Sequence, residues 1–272
     1  MKSRRAAVGV AIVALWVAGL TMMLRRNASR SEEQQLAEVA LTVQPATFYY
    51  LVERDGKRIG SASSAIDTTA QYLVSEEYMV GDFPSPSGSG FERTSARWRT
   101  ALTRGFRLQK TWIEIMRAAQ PFSFSATLED TTLVVVPAGP GTTDTPVKLK
   151  VTPPMFTPAL APVAFMLGGS REIGRTQTIS VFDPISRKVL RPELKIHAES
   201  LFTVVDSAAR NASGDWIAAH RDTVRAWRLG GAPGSVSAWV DAEGRVVMAE
   251  LVNGLSLTRT AFEIAYRTSI TR

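Results

Sequence analysis

The chain has 272 residues, a formal net charge of +7, two histidines and no cysteine. Without Cys there is no disulfide framework, no thiolate metal site and no thiol nucleophile. The basic residues are scattered, with no run such as KKRK, which argues against nucleic acid and for a solvated basic surface near anionic lipid head groups.

From Ala6 to Leu24 no side chain is charged. As a helix this segment is roughly 28 Å long at ~1.5 Å per residue, enough to cross a bilayer. Lys2, Arg4 and Arg5 precede it, Arg25, Arg26 and Arg30 follow, and MMLRR stands where a cleavable signal would need small residues. The reading is an uncleaved signal anchor over residues 1–26, in a bacterial inner membrane, with the following domain in the periplasm. Basic residues balance across the segment, so this orientation rests on the layout, a short basic start before a large domain. Gly9 and Gly19, with alanines nearby, would let a partner's transmembrane helix approach closely.

Residues 27–46 read as a polar stalk with Leu36, Val39, Ala40 and Val43 at helical spacing, ending before Pro45. From Thr47 the period changes to two, and 47–272 reads as one β-rich domain. Phe122, Phe124, Ala126 and Leu128 alternate with Ser123, Ser125 and Thr127; Val147, Leu149 and Val151 alternate with Lys148 and Lys150. Ala96, Trp98 and Leu102 share a side opposite Arg93, Arg97 and Arg99. The remaining predicted strands cover 47–54, 57–66, 71–80, 106–117, 131–136, 173–182, 187–205, 215–229, 235–241, 244–253 and 255–267. Asp55–Gly56 and Asp241–Gly244 carry hairpin chemistry, because Gly accepts the positive φ such turns need. Longer loops fall at 82–90, 137–146 and 230–234. The fold class is therefore an all-β soluble domain, an antiparallel meander curled into a half-barrel or barrel, on a single N-terminal transmembrane helix.

One segment departs from alternation. Residues 152–169, TPPMFTPALAPVAFMLGG, are Pro-rich and then almost wholly apolar. Pro158 and Pro162 exclude a central strand, and a short helix from about Ala159 to Leu167 fits. Such a helix either plugs the open end of the curled sheet or offers an apolar contact to a ligand or partner through Phe156, Leu160, Phe165, Met166 and Leu167. Trp98, Trp112, Trp216, Trp227 and Trp239 all fall in predicted strands, where they fill a core or line a groove.

Catalytic chemistry finds little support. His197 sits on the polar side of its strand. His220 and Asp222 share one strand face and could hydrogen-bond, but no G-x-S-x-G elbow supplies a nucleophile. No H-E-x-x-H pair or calcium loop occurs, and GPGTTD lacks the third Gly of a phosphate cradle. The expectation is a protein that is not an enzyme and holds no metal or cofactor.

The opening strands, FYYLVERDGKRIGSASSAID, and the closing segment, WVDAEGRVVMAELVNGLSLTRTAFEIAYR, resemble the corresponding parts of uncharacterised bacterial exported β-rich domains. Similar segments precede transglutaminase-like modules, whose Cys is missing here. The resemblance implies a curled antiparallel sheet like the half-barrels of lipoprotein carriers such as LolA and LolB, and it transfers no site residues.

Two functions follow as expectations. The first is a non-catalytic accessory or scaffold subunit of a respiratory, photosynthetic, secretion or envelope complex, with the bilayer and transmembrane proteins as partners. The alternative is a periplasmic carrier or binding protein for a lipid or other apolar ligand, with 152–169 as a lid.

Overall fold

Alternation of apolar and polar residues is followed by strands from Ala46 onward in the computed structural model. It describes residues 42–85, 90–117, 121–138, 145–183, 186–230, 237–251 and 254–266. The anchor, with Gly9 and Gly19, lies outside the described residues, as does the stalk up to residue 41. Among the described residues no helix is long and apolar enough to cross a membrane.

The first meander comprises β1 (Ala46–Arg54), β2 (Lys57–Thr68), β3 (Tyr72–Pro84), β4 (Phe91–Thr103), β5 (Leu108–Arg117), β6 (Phe122–Glu129), β7 (Thr132–Ala138) and β8 (Val147–Lys150). Each strand pairs antiparallel with the next. The β1–β2 hairpin turns on Asp55 and Gly56, both at positive φ (50° and 73°), as its D-G sequence predicts. A helix α1 (Ala161–Leu167) then precedes β9 (Thr176–Thr178), and β10 (Val181–Asp183) with β11 (Lys188–Leu190) forms a separate two-stranded sheet. The second meander is β12 (Glu193–Arg210), β13 (Trp216–Gly230), β14 (Ser237–Val240), β15 (Val246–Glu250) and β16 (Leu255–Thr260), followed by a short helix α2 (Phe262–Ala265).

The two meanders join where β16 pairs antiparallel with β1, Arg259 opposite Tyr50. One 14-stranded sheet results, from β8 at one edge to β9 at the other. Its right-handed twist curls it around an interior, as twist does in any large antiparallel sheet. The ends of this curl can be told apart by the turns. One end holds the 55–56 turn and the starts of β4, β6 and β16. The other holds the 104–107 and 241–245 turns.

α1 plugs that second end. Val163, Ala164, Phe165 and Met166 pack with Ile66, Leu73, Leu102, Ile196, Trp227 and Val240 from strands all around the sheet. The turn at Gly244 meets the helix so closely that a Cβ there would lie 2.4 Å from the Val163 Cα, and its φ is +80°, so only glycine serves. Phe106, fully buried at a positive φ of 56°, closes the same end against Phe156, ring centroids 6.1 Å apart. Over β5–β8 the interior is filled instead by the β10–β11 hairpin, whose Phe182 packs with Phe124, Leu133 and Val135.

Three predicted strands are corrected. The 173–182 segment is split into β9 and β10, because the chain leaves the large sheet after Thr178 to pair with β11. The 187–205 segment breaks at Pro192, which has no N–H to give a ladder. The 255–267 segment ends at Thr260, where β1 runs out of pairing at Tyr49, and the chain turns into α2, burying Ala261 just before it and Ala265 at its end. Arg58 ties that helix down, donating to the Ala265 carbonyl at 2.6 Å.

Candidate functional site: a cavity inside the curled sheet

The plug and the β10–β11 hairpin leave one part of the interior unfilled. A cavity of about 610 Å³ lies between the inner faces of β1–β5, β15 and β16. It exists because the residues facing it are small. Along β2 the inward positions are Gly60, Ala62 and Ser64, and opposite them on β4 stand Thr94 and Ala96. Gly60 faces Gly81 across the ladder, and a Cβ on Gly60 would meet the Val80 carbonyl at 2.4 Å. Larger apolar side chains complete the lining: Met79, Phe83, Trp98, Ile113, Ile115 and Leu257. The cavity reaches from Val163 and Gly244 at the plugged end to Arg54, Pro84 and Arg117 at the other rim.

Trp98 is held in place by its indole N–H, which donates to Thr111 Oγ1 at 2.7 Å. Glu77 faces the cavity from the middle of β3, where Leu73, Ser75 and Met79 share its side of the strand. Ser75 donates to its carboxylate at 2.7 Å and Ser64 also hydrogen-bonds it. Glu77 is half-buried, part of its surface facing the cavity. Burial is the largest influence and pushes the carboxyl up to about 7, with Glu76 adding to the rise and the two serines opposing it. The group therefore changes charge near neutrality, and it can donate to or accept from a bound molecule.

At the plugged end the charged groups and Tyr50 have partners, while the buried Trp227 indole N–H has none among the described residues. Asp241 accepts the Glu243 and Arg245 backbone N–H groups at 3.1 and 2.9 Å, and Arg259 pairs with its other oxygen at 3.1 Å. Burial raises the Asp241 pKa and lowers that of Arg259, against the attraction between the two. Arg259 also lies 3.5 Å from the Phe48 ring centroid. Tyr50 donates to the Val246 carbonyl at 3.2 Å, and burial holds its phenol well above the usual range, so it stays neutral.

Of the residues singled out from the sequence, Phe156, Leu160, Phe165 and Met166 are buried in the core around the plug, and Leu167 is half-buried against it. They surround the plugged end rather than the cavity wall, which only Ala159 and Val163 of that segment reach. His220 pairs with Asp206 rather than Asp222: its Nδ1 lies 2.9 Å from both Asp206 oxygens. A β-bulge places Asp206 beside His220 across the hairpin, closer than a residue two positions along the same strand. The pair is exposed. His197 is also exposed. Among the described residues no group of three His, Cys, Asp or Glu could hold a metal ion.

Glu77 was missed in the sequence, although a signal is there. Glu76 and Glu77 are adjacent in a strand, so alternation forces one of them inward. Glu76 takes the outer face and bonds Arg97 at 2.8 Å, and Glu77 takes the inner one.

No protein-family model matches the chain, and no curated protein does. A solved structure is similar: a β-barrel-like protein of a domain of unknown function, DUF1849, from Brucella abortus. It matches with a TM-score of 0.51 and 12% identity, over 79% of this chain and 94% of that one. A DUF1089 family protein from Pseudomonas aeruginosa gives a TM-score of 0.38 and 11% identity, over 68% of this chain and 87% of that one. The first likeness concerns the fold alone. It agrees with an uncharacterised β-rich domain, the coarser part of the resemblance read from the sequence.

Proposed function

We propose that this chain is a membrane-tethered, periplasmic binding protein that holds one apolar or amphipathic small molecule inside its curled sheet. The observation that carries this reading is the cavity of about 610 Å³ with its apolar lining. Its size falls within the ~300–1,000 Å³ typical of small-molecule sites. With a methylene taken at ~30 Å³, a water molecule's share of the liquid, the space suits some twenty such groups, one chain or ring system. A small-residue wall opposite large apolar side chains is costly for packing, since unfilled volume forfeits contacts. A bound molecule would restore them. This is the relation to half-barrel carriers that the sequence resemblance implied, transferred here as part of the proposal.

Native mass spectrometry of the full chain, released from detergent micelles, tests it. The expected result is a one-to-one small-molecule adduct that Ala96→Trp, which fills the cavity, removes. An adduct retained by Ala96→Trp, or none on the wild-type chain, overturns the reading.

The scaffold reading rests on the Ala6–Leu24 segment, whose Gly9 and Gly19 suit close helix contact. Stoichiometric membrane partners that co-purify with the wild type and are lost on Gly9→Leu and Gly19→Leu would favour it.

A further inference from the structure

We propose that Glu77 makes the cavity selective for apolar molecules that carry a protonated nitrogen, such as alkyl or arylalkyl amines. This rests on the reading of the cavity as a binding site and adds the chemical class of its ligand.

The argument begins with a charge census around the space. At the open rim, Arg54 has Asp55 at 3.8 Å and lies over the Phe91 ring, 5.7 Å from its centroid. Arg117, on the same rim, has Glu92 at 4.0 Å. At the plugged end, Arg259 pairs with Asp241, and Arg245 donates to the Gln44 carbonyl at 2.8 Å while lying over Phe48. Arg97, also in the lining, bonds Glu76 at 2.8 Å, so among the described residues each arginine lining the cavity, and Arg259 beside it, has an acid, a carbonyl or a ring of its own. Glu77 differs: among the described residues no Lys or Arg forms an ion pair with it. Its partners are two serine hydroxyls, both donating toward the carboxylate.

A bare cation in an apolar cavity is costly unless an opposite charge meets it there. Glu77 supplies that charge midway along the wall, with Ser64 and Ser75 already oriented for its ionised form. An anionic molecule would instead face a like charge or have to keep Glu77 protonated. A neutral molecule would find a protonated carboxyl below pH 7 and would have to leave it ionised and unpaired above. The other titratable and charged groups turned toward Glu77 are few. Glu76 adds negative potential from the outer face, and Tyr50, which stays neutral, is acted on by Glu77 as well as by Asp241, Arg245 and Arg259. Binding of an ammonium group ionises Glu77 and releases its proton, so amine affinity rises as pH increases through about 7.

Three probes of one skeleton test this: phenylbutylamine, phenylbutanol and phenylbutyrate. Each is titrated calorimetrically at pH 8 into the full chain in nanodiscs, with empty nanodiscs subtracted. The amine is expected to bind about tenfold more tightly than the alcohol, and the carboxylate more weakly than either. Glu77→Gln should abolish the amine's advantage over the alcohol, and a cooperative thermal unfolding transition shows that the variant is folded. Repeating the amine titration near pH 7, in buffers of different ionisation heat, should reveal proton release. Equal binding of amine and alcohol by the wild type, or an amine preference that survives Glu77→Gln, overturns the selectivity and leaves the cavity reading standing. Binding of none of the three overturns both.

Discussion

Across β5–β7 the inner face of the sheet carries Ile113, Phe124, Ala126, Leu133 and Val135, all buried, and the β10–β11 hairpin lays Phe182 against them. Phe124 and Phe182 meet edge to face at 6.1 Å. Across β2–β4 the same face carries Gly60, Ala62, Ser64, Gly81, Thr94 and Ala96, and a cavity lies over them. The alternation is the same in both regions, and so is the ladder. What differs is the run of small inward residues, among which Met79, Trp98 and the charged Glu77 stand. Periodicity thus decides which face turns inward, and side-chain volume decides whether that interior is packed or left open.

The largest effect that separates the two regions is expected at Phe124. Its ring is fully buried in the filled half, so Phe124→Ala removes contacts on all sides. The loss should be about 3–5 kcal/mol of stability, read from denaturant midpoints, because the surroundings relax only partly into the space. A loss under about 1 kcal/mol would mean that this half is as loosely filled as the other.

Next comes the carboxyl in the open half. In the unfolded chain Glu77 titrates near its ordinary 4.5, while the folded protein holds the proton up to about 7. Between those values the folded state binds more protons, so stability declines as pH rises. The contribution is complete below pH 4.5 and gone above pH 7, and Asp241, also raised by burial, adds a slope of the same sign. Glu77→Gln carries no such titration. Its stability relative to wild type should therefore increase by up to about 3 kcal/mol between pH 4 and pH 8. Parallel pH–stability curves for the two proteins would show that Glu77 is not held neutral by the cavity.

Much of this contrast can be read from the sequence, and the parts that cannot have physical causes. Alternation around Phe122–Leu128 and Ala96–Leu102 identifies the inward residues correctly, and Trp98, Phe122, Phe124 and Leu149 do share one packed cluster, while Arg97, Lys148 and Lys150 are exposed or lie on the outer face. Val147 shares their register but sits on the edge strand β8, where little covers it, and is 36% exposed. The Pro-rich 152–169 segment predicts a helix and the structure supplies one. The closure of β16 onto β1 is a pairing across some two hundred residues, which local periodicity does not encode. The cavity was hidden for a related reason. The run GSASSA looks like a weak strand until β3 and β4 are placed beside it, and only then do the small residues line up on one wall.

The finest test makes the same substitution in both regions. Ala126 is fully buried in the filled half, and Ala96 faces the cavity. Ala126→Leu must force added methyl groups into packed surroundings, which typically costs about 1–3 kcal/mol. Ala96→Leu extends the same atoms into unoccupied space, where they gain contact with Met79 and Ile115 instead of displacing them. Its stability should change by less than about 1 kcal/mol, with either sign allowed by the lost rotamer freedom of the new side chain. Thermal unfolding of the two variants beside wild type decides the matter, since only the difference between them is needed. Equal destabilisation would mean that the space over β2–β4 closes in solution, and with it would go the reason for reading a ligand there. A tolerant Ala96→Leu that also weakens the small-molecule adduct would tie the unfilled volume directly to binding.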